Sequence, residues 1–280
     1  MRPAWDRIAA AALAATFTLL PGCSTRDPNA TPSAGAAPAT AKLAPAAPAE
    51  KAPVARRPAS FDKITAPKDA GVIIGRVLYA GTPPKPKPIN FGPEKLCADL
   101  SKDKQPLYET LVVDDSGAVK WALVSIRGNV PGKYPVPDKP VVVDQVGCIF
   151  IPHVAALMAG QEVEYRNSDP VSHNIRATPK KNPAFNTIFS AKMASKSKLD
   201  TPEYGIPLKC DIHFWMSGFV HVLPHPFFAI TGDDGSFVIS GVPPGTYSLL
   251  AWHESLKPQN QSVTVAAGEV REIDFMMPGN

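Results

Sequence analysis

The chain has 280 residues, 44% of them hydrophobic, and a formal net charge of +4 at pH 7. A surplus that small gives no case for nucleic-acid binding. The stretch from residue 67 onward is long enough for one large or two small hydrophobic cores.

Residues 1–23 read as an export signal. Arg2 and Arg7 make a basic start, and 8–20 is an apolar run too short to cross a bilayer as a helix. It ends in Leu20-Pro21-Gly22-Cys23, which resembles a lipoprotein signal box. The resemblance implies cleavage before Cys23 and a lipid anchor on that cysteine, with ordinary secretion as the alternative because Pro21 stands where a small residue is usual. Ser24 after the cysteine favours the outer membrane, so the expected place is the periplasm or cell surface. Membrane attachment is expected through the lipid alone.

Residues 24–66 are rich in Ala and Pro and poor in large apolar side chains. Such a segment buries too little surface to offset ordering entropy, so a disordered tether is expected. Beyond it no long helix stands out. The apolar run 154–158 is soon interrupted by Gly160. Short β-branched and aromatic runs alternate with Gly/Pro/Asp turns instead. Strands are expected over 71–79, 110–113, a return strand over 119–126, 141–143, 162–166, 219–222, 237–239, 247–252, 262–265 and 272–276. Many short strands of this kind predict an all-β protein made of sandwiches.

The most informative run is Lys-Cys-Asp-Ile-His-Phe-Trp-Met, in which Cys210, His213 and Met216 are spaced Cys-x2-His-x2-Met. A thiolate, an imidazole and a thioether at this spacing can meet one metal ion from a single tight loop. Soft sulfur with nitrogen suits copper better than magnesium, calcium or manganese. A blue-copper site needs a second histidine, and His173 is the candidate. Zinc also accepts two histidines and a cysteine. A dinuclear site is not expected, because the ligand loop holds no second cysteine. Taken singly, His173, Cys210 and Met216 read as structural residues; the joint spacing favours the metal.

Cys97 and Cys148 remain. Exported compartments permit disulfides, so a Cys97–Cys148 bond is expected, two separate buried thiols being the alternative. The remaining histidines, His153, His221, His225 and His253, read as packing or capping residues. A second metal or redox-tuning role stays open for His153. The segment between the two halves of the site carries Lys180, Lys181, Lys192, Lys196, Lys198 and Lys209. It reads either as a basic patch that steers an acidic redox partner or as a solvated loop.

Phe150, Pro152, Gly160, Val163, Tyr165, Asn167, His173 and Asn174 follow in an order that resembles the cupredoxin family. The Cys-x2-His-x2-Met loop is similar to that of its short, amicyanin-like members. The resemblance implies a Greek-key sandwich over 141–224 holding one mononuclear copper ion. His173, Cys210, His213 and axial Met216 would be the ligands, and Asn174 would tie the two ligand loops together. Residues 231–254, with Asp-Gly-Ser-Phe and Val-Pro-Pro-Gly-Thr-Tyr, resemble the carboxypeptidase regulatory-like, prealbumin-like sandwich. Residues 71–79 resemble its opening strand. The two flanks, 67–140 and 225–280, are therefore expected to complete one sandwich around the inserted cupredoxin, with two successive sandwiches as the alternative. The expected function is single-electron transfer with a protein redox partner, without catalysis. Copper storage or delivery, and a carbohydrate- or surface-binding module, are the competing readings.

Overall fold

The computed structural model describes residues 57–279. The export signal, Cys23 and most of the 24–66 stretch lie outside the described residues. In chain order the elements are β1 (Gly71–Ala80), α1 (Lys95–Leu100), β2 (Leu123–Ile126), β3 (Val141–Val146), β4 (Ile149–Ile151), β5 (Val154–Met158), β6 (Glu162–Asn167), β7 (His173–Ala177), β8 (Phe185–Phe189) and β9 (Ala194–Lys198). They continue with β10 (Glu203–Lys209), β11 (Ser217–Leu223), β12 (Phe228–Ile230), β13 (Ser236–Val242), β14 (Gly245–His253), β15 (Leu256–Val265), β16 (Val270–Glu272) and β17 (Phe275–Pro278). The protein is all-β, as its turn-rich pattern implies.

β1 is a nearly continuous apolar run because it is buried on both faces. It pairs antiparallel with β13 and parallel with β16 and β17. A second sheet runs in the order β12-β2-β14-β15. The two sheets share one core: Ile73 and Val77 of β1 meet Val124 and Ile126 of β2, Leu249 of β14, Val263 of β15 and Phe275 of β17. The chain on either side of the middle region thus builds one sandwich rather than two.

On its other face β1 presents Val72 and Ile74, which pack with Phe61. Phe61 sits in a 3-10 turn over Ala59–Lys63. Ordered structure therefore begins before residue 66: Phe61, an aromatic in an otherwise Ala/Pro-rich stretch, covers an apolar strand face and orders the residues around it.

The middle region forms a second sandwich from the sheets β5-β11-β10-β7-β8 and β4-β3-β6-β9. Val143, Phe150, Leu157, Val163, Tyr165, Ile175, Leu208 and Val220 fill its core. The parallel pairs β5–β11 and β3–β6 join strands that do not follow one another in sequence. The run 154–158, too short for a helix, is β5.

Three expectations change. The 180–209 stretch is not a solvated loop but contains β8, β9 and β10; β9, Ala-Ser-Lys-Ser-Lys, is almost wholly exposed and lacks the apolar alternation that marks a strand. The expected hairpin at 110–126 reduces to an isolated Val113–Val119 bridge and β2, because Trp121 turns the chain with φ of 66°. The run 272–276 splits at Ile273, whose N–H donates to the Ile74 carbonyl.

That split explains Gly75. A Cβ there would lie 1.8 Å from the Ile273 carbonyl oxygen and 3.0 Å from the Phe237 ring. Backbone cannot yield as a flexible side chain can. Gly75→Ala is expected to destabilise the fold by at least about 1–3 kcal/mol, read as a lower urea midpoint with an unchanged slope.

Candidate metal centre

β7 and β10 are hydrogen-bonded neighbours, with Lys209 opposite Arg176. His173 opens β7, and Cys210 follows the last residue of β10. The pairing therefore delivers both side chains to the same end of the sheet. The chain then turns tightly before β11. Met216 N–H donates to the His213 carbonyl (2.9 Å), and Cys210 N–H to the Met216 carbonyl (3.3 Å). This short circuit folds the x2-x2 spacing into one loop.

His173, Cys210 and His213 are all buried, and their donor atoms lie within 4.8 Å of one another. The two Nδ1 atoms are 2.8 Å apart, and Cys210 Sγ is 3.8 Å from His213 Nδ1. Met216 is also buried, at the same loop's end. Asn174 binds across the loops: its Nδ2 donates to Asp211 Oδ2 (3.3 Å), and its Oδ1 accepts from the Asp211 amide.

Asp169 was not singled out by spacing, yet it orients the site. Its Oδ2 lies 2.9 Å from His173 Nε2. The Gly147 and Cys148 amides donate to the same carboxylate at 2.7 and 2.8 Å. Burial works to raise the Asp169 pKa, but these donors outweigh it and hold the carboxyl below its ordinary value. Burial likewise opposes the charge on His173, but hydrogen bonds to Asp169 and Cys210 leave its pKa raised. A carboxylate at Nε2 assigns the proton to that nitrogen and turns the Nδ1 lone pair toward His213.

Cys210 follows the same logic. Burial alone would raise its pKa. The His173 ring and the amides of Asn174, His213 and Ile212 outweigh that and lower it. Asn174 N–H and His213 N–H reach Sγ at 3.5 and 3.3 Å. These donors favour a thiolate. His213 is pushed down, by burial first and then by the charge of His173. A thiolate and two lone-pair nitrogens converging in a buried space fit a soft, late first-row cation.

A second cluster, Cys148, Asp169 and His173, is equally compact. Cys148 is committed elsewhere, because the expected disulfide to Cys97 is formed. Cys210 is the free cysteine among the described residues.

Residues 223–278 match the family model of the carboxypeptidase regulatory-like domain. The match falls on β12 to β17. No curated protein sequence matches the chain. Similar solved structures include cupredoxins and a copper-containing nitrite reductase. A purple cupredoxin from Nitrosopumilus maritimus is 19% identical, covering 29% of this chain and 98% of its own, with a TM-score of 0.26. A reduced single-residue mutant of amicyanin is 20% identical over 34% of this chain and 96% of its own, with a TM-score of 0.28. The copper-containing nitrite reductase of Thermus scotoductus SA-01 is 25% identical over 34% of this chain, with a TM-score of 0.28; the match spans only 24% of that enzyme. The two-sandwich architecture stands on the strand order described above.

The other histidines lie along the junction of the sandwiches. His153 Nε2 contacts Glu254 Oε1. His221 packs against Trp252, ring centroids 4.4 Å apart, and accepts the Gly205 N–H at Nδ1. The Nε2 atoms of His221, His225 and His253 are buried without a hydrogen-bond partner. Burial pushes the His221 pKa down to about 3 and that of His253 to about 4. Among the described residues no helix is long and apolar enough to cross a membrane.

The sign of the resulting pH dependence is fixed. Both histidines titrate near 6.5 when unfolded and far lower when folded, so the unfolded chain takes up more protons below that value. Stability is expected to be full above about pH 6.5 and to fall as the pH drops toward 4. Urea midpoints across that range check it. His221→Gln should flatten the fall; an unchanged slope would contradict the assignment.

Proposed function

We propose that the chain is a lipid-anchored, exported type 1 copper protein that passes single electrons between protein redox partners. The observation that carries this reading is the buried convergence of Cys210 Sγ with the facing Nδ1 atoms of His173 and His213. Met216, at the end of the same loop, would supply a weak thioether donor. Copper bound there supplies a one-electron couple whose two oxidation states suit the same ligand set.

The chain's own residues contribute rigidity. Asp169 fixes the ring of His173, and Asn174 holds the turn after Cys210 against β7. The amides of Asn174 and His213 hold the sulfur as thiolate. Burial of all these groups keeps water off the donors. A site fixed by neighbours before and after a change of charge needs little rearrangement, which favours fast electron exchange over chemistry on a substrate. A lipid on Cys23 and the Ala/Pro-rich segment behind it would keep the domain at a membrane surface while letting it reach partners.

Copper(II) added to the purified chain is expected to produce an intense thiolate-to-copper visible band and a fast, reversible voltammetric wave. Cys210→Ser should abolish the band. Tight copper(I) binding without a reversible wave would favour storage or delivery instead. Asp169→Asn keeps the shape of the side chain but weakens its hold on the imidazole; copper affinity is expected to fall by about 10–100-fold, measured by competition with a chelator.

A further inference from the structure

The connection between β1 and β2 does not stay with its own sandwich. It is pinched by paired backbone bonds, Ile89 N–H to the Pro106 carbonyl and Tyr108 N–H to the Lys87 carbonyl, both 2.9 Å. Ile89, Phe91 and Cys97 are buried in the core of the other sandwich. Phe91 meets Trp215 edge-on, with ring centroids 5.2 Å apart. Trp215 Nε1 donates to the Cys148 carbonyl at 3.0 Å.

The consequence falls on His213. Its two neighbours in the loop face solvent, Ile212 at 47% exposure and Phe214 at 80%, yet His213 itself is only 3% exposed. Its Nδ1 points at the other ligands. Its outer nitrogen, Nε2, lies 3.8 Å from Cys97 Sγ. The atom closing that edge thus belongs to the excursion from the neighbouring sandwich, and a disulfide to Cys148 fastens it there.

We propose that residues 88–108, stapled by Cys97–Cys148, are a metal-retaining cap over His213. The inference rests on the copper reading above. Loss of a bound ion begins with one ligand swinging away from it. Cys210 and His213 both sit between exposed neighbours on this loop, but the His213 ring is the one with an edge turned away from the other donors, and Cys97 blocks the outward rotation of that ring. The cap has little order of its own: α1 has six residues, far below the length at which an isolated helix holds, and Leu96 and Leu100 stay exposed. Its position therefore depends on the staple and on Phe91. Both sulfurs are buried, so thiols in solution attack them poorly and the cap stays shut rather than acting as a switch.

The test uses the full chain loaded with copper(I) and mixed with excess bicinchoninate, whose complex reports release. Replacing both cysteines, Cys97→Ser with Cys148→Ser, is expected to speed release by on the order of tenfold or more, and Phe91→Ala, with the disulfide intact, by a smaller factor. Phe91→Ala carries the test alone if the double variant does not fold. Equal release rates in wild type and variants overturn the cap. A metal-free measurement separates the two layers: carbethoxylation of His213 by diethyl pyrocarbonate, read by mass spectrometry, should be slow in the wild type and fast in the variants. If no form binds copper, the copper reading and metal retention fall together, and His213 protection still reports whether the segment covers the ring. Equal labelling of all forms would show that it does not.

Discussion

Three donors meet one buried carboxylate at Asp169, which ties His173 to the turn between β3 and β4. On one side is the Nε2 of His173, which fixes the direction of the lone pair that faces His213. On the other are the amides of Gly147 and Cys148, in the turn between β3 and β4. That turn needs the help. Gly147 and Cys148 both adopt positive φ, which Gly tolerates and Cys does not favour. A buried carboxylate without such donors would cost several kcal/mol or take up a proton; with them it is charged and immobile.

The same turn fastens the ligand loop and the excursion over it. Cys148 bonds Cys97 through sulfur and holds the Trp215 indole through its carbonyl. Trp215 lies two residues beyond His213 and packs against it at a tilt of 41°, ring centroids 5.1 Å apart. Asp169, Cys148 and Trp215 therefore form one continuous frame around the donor atoms. None belongs to the candidate donor set, and each limits how its members can move.

Much of the donor set was legible in the sequence because its spacing is local. Cys210, His213 and Met216 share one turn, and His173 carries the family pattern that leads into it. Asp169 left a weaker trace: a carboxylate four residues before His173, easily read as a turn residue beside Pro170. The lid over His213 left none. Cys97 could be paired with Cys148 by elimination, but its distance from an imidazole more than a hundred positions away depends on how two sandwiches sit together. Strands β8 to β10 were hidden for a different reason. β9 has solvent on both faces and carries no apolar alternation to betray it, β8 turns Ile188 into solvent, and Gly205 and Pro207 interrupt β10, whereas β1, buried on both faces, was read almost to its ends.

The insertion itself has a physical logic. β2 and β12 are antiparallel neighbours, with Ser125 opposite Phe228. The chain therefore leaves the host sandwich and re-enters it at adjacent points, and the host sheet closes across the gap as though a short loop stood there. What such an insertion lacks is a fixed orientation, since one pair of connections would act as a hinge. Here the junction is filled. His153 reaches Glu254, and the rings of Phe219, Trp252 and His221 interlock at 5.4 and 4.4 Å. The partnerless Nε2 of His221 is the cost of that packing, a polar atom given up to fill an aromatic seam. With the seam rigid, the β1–β2 excursion can cross from one sandwich and meet a single imidazole edge on the other. A loose junction would let that contact open whenever the domains rocked. The buried histidines of the seam and the covered histidine of the site are thus parts of one arrangement, in which the host sandwich sets the access to the inserted one.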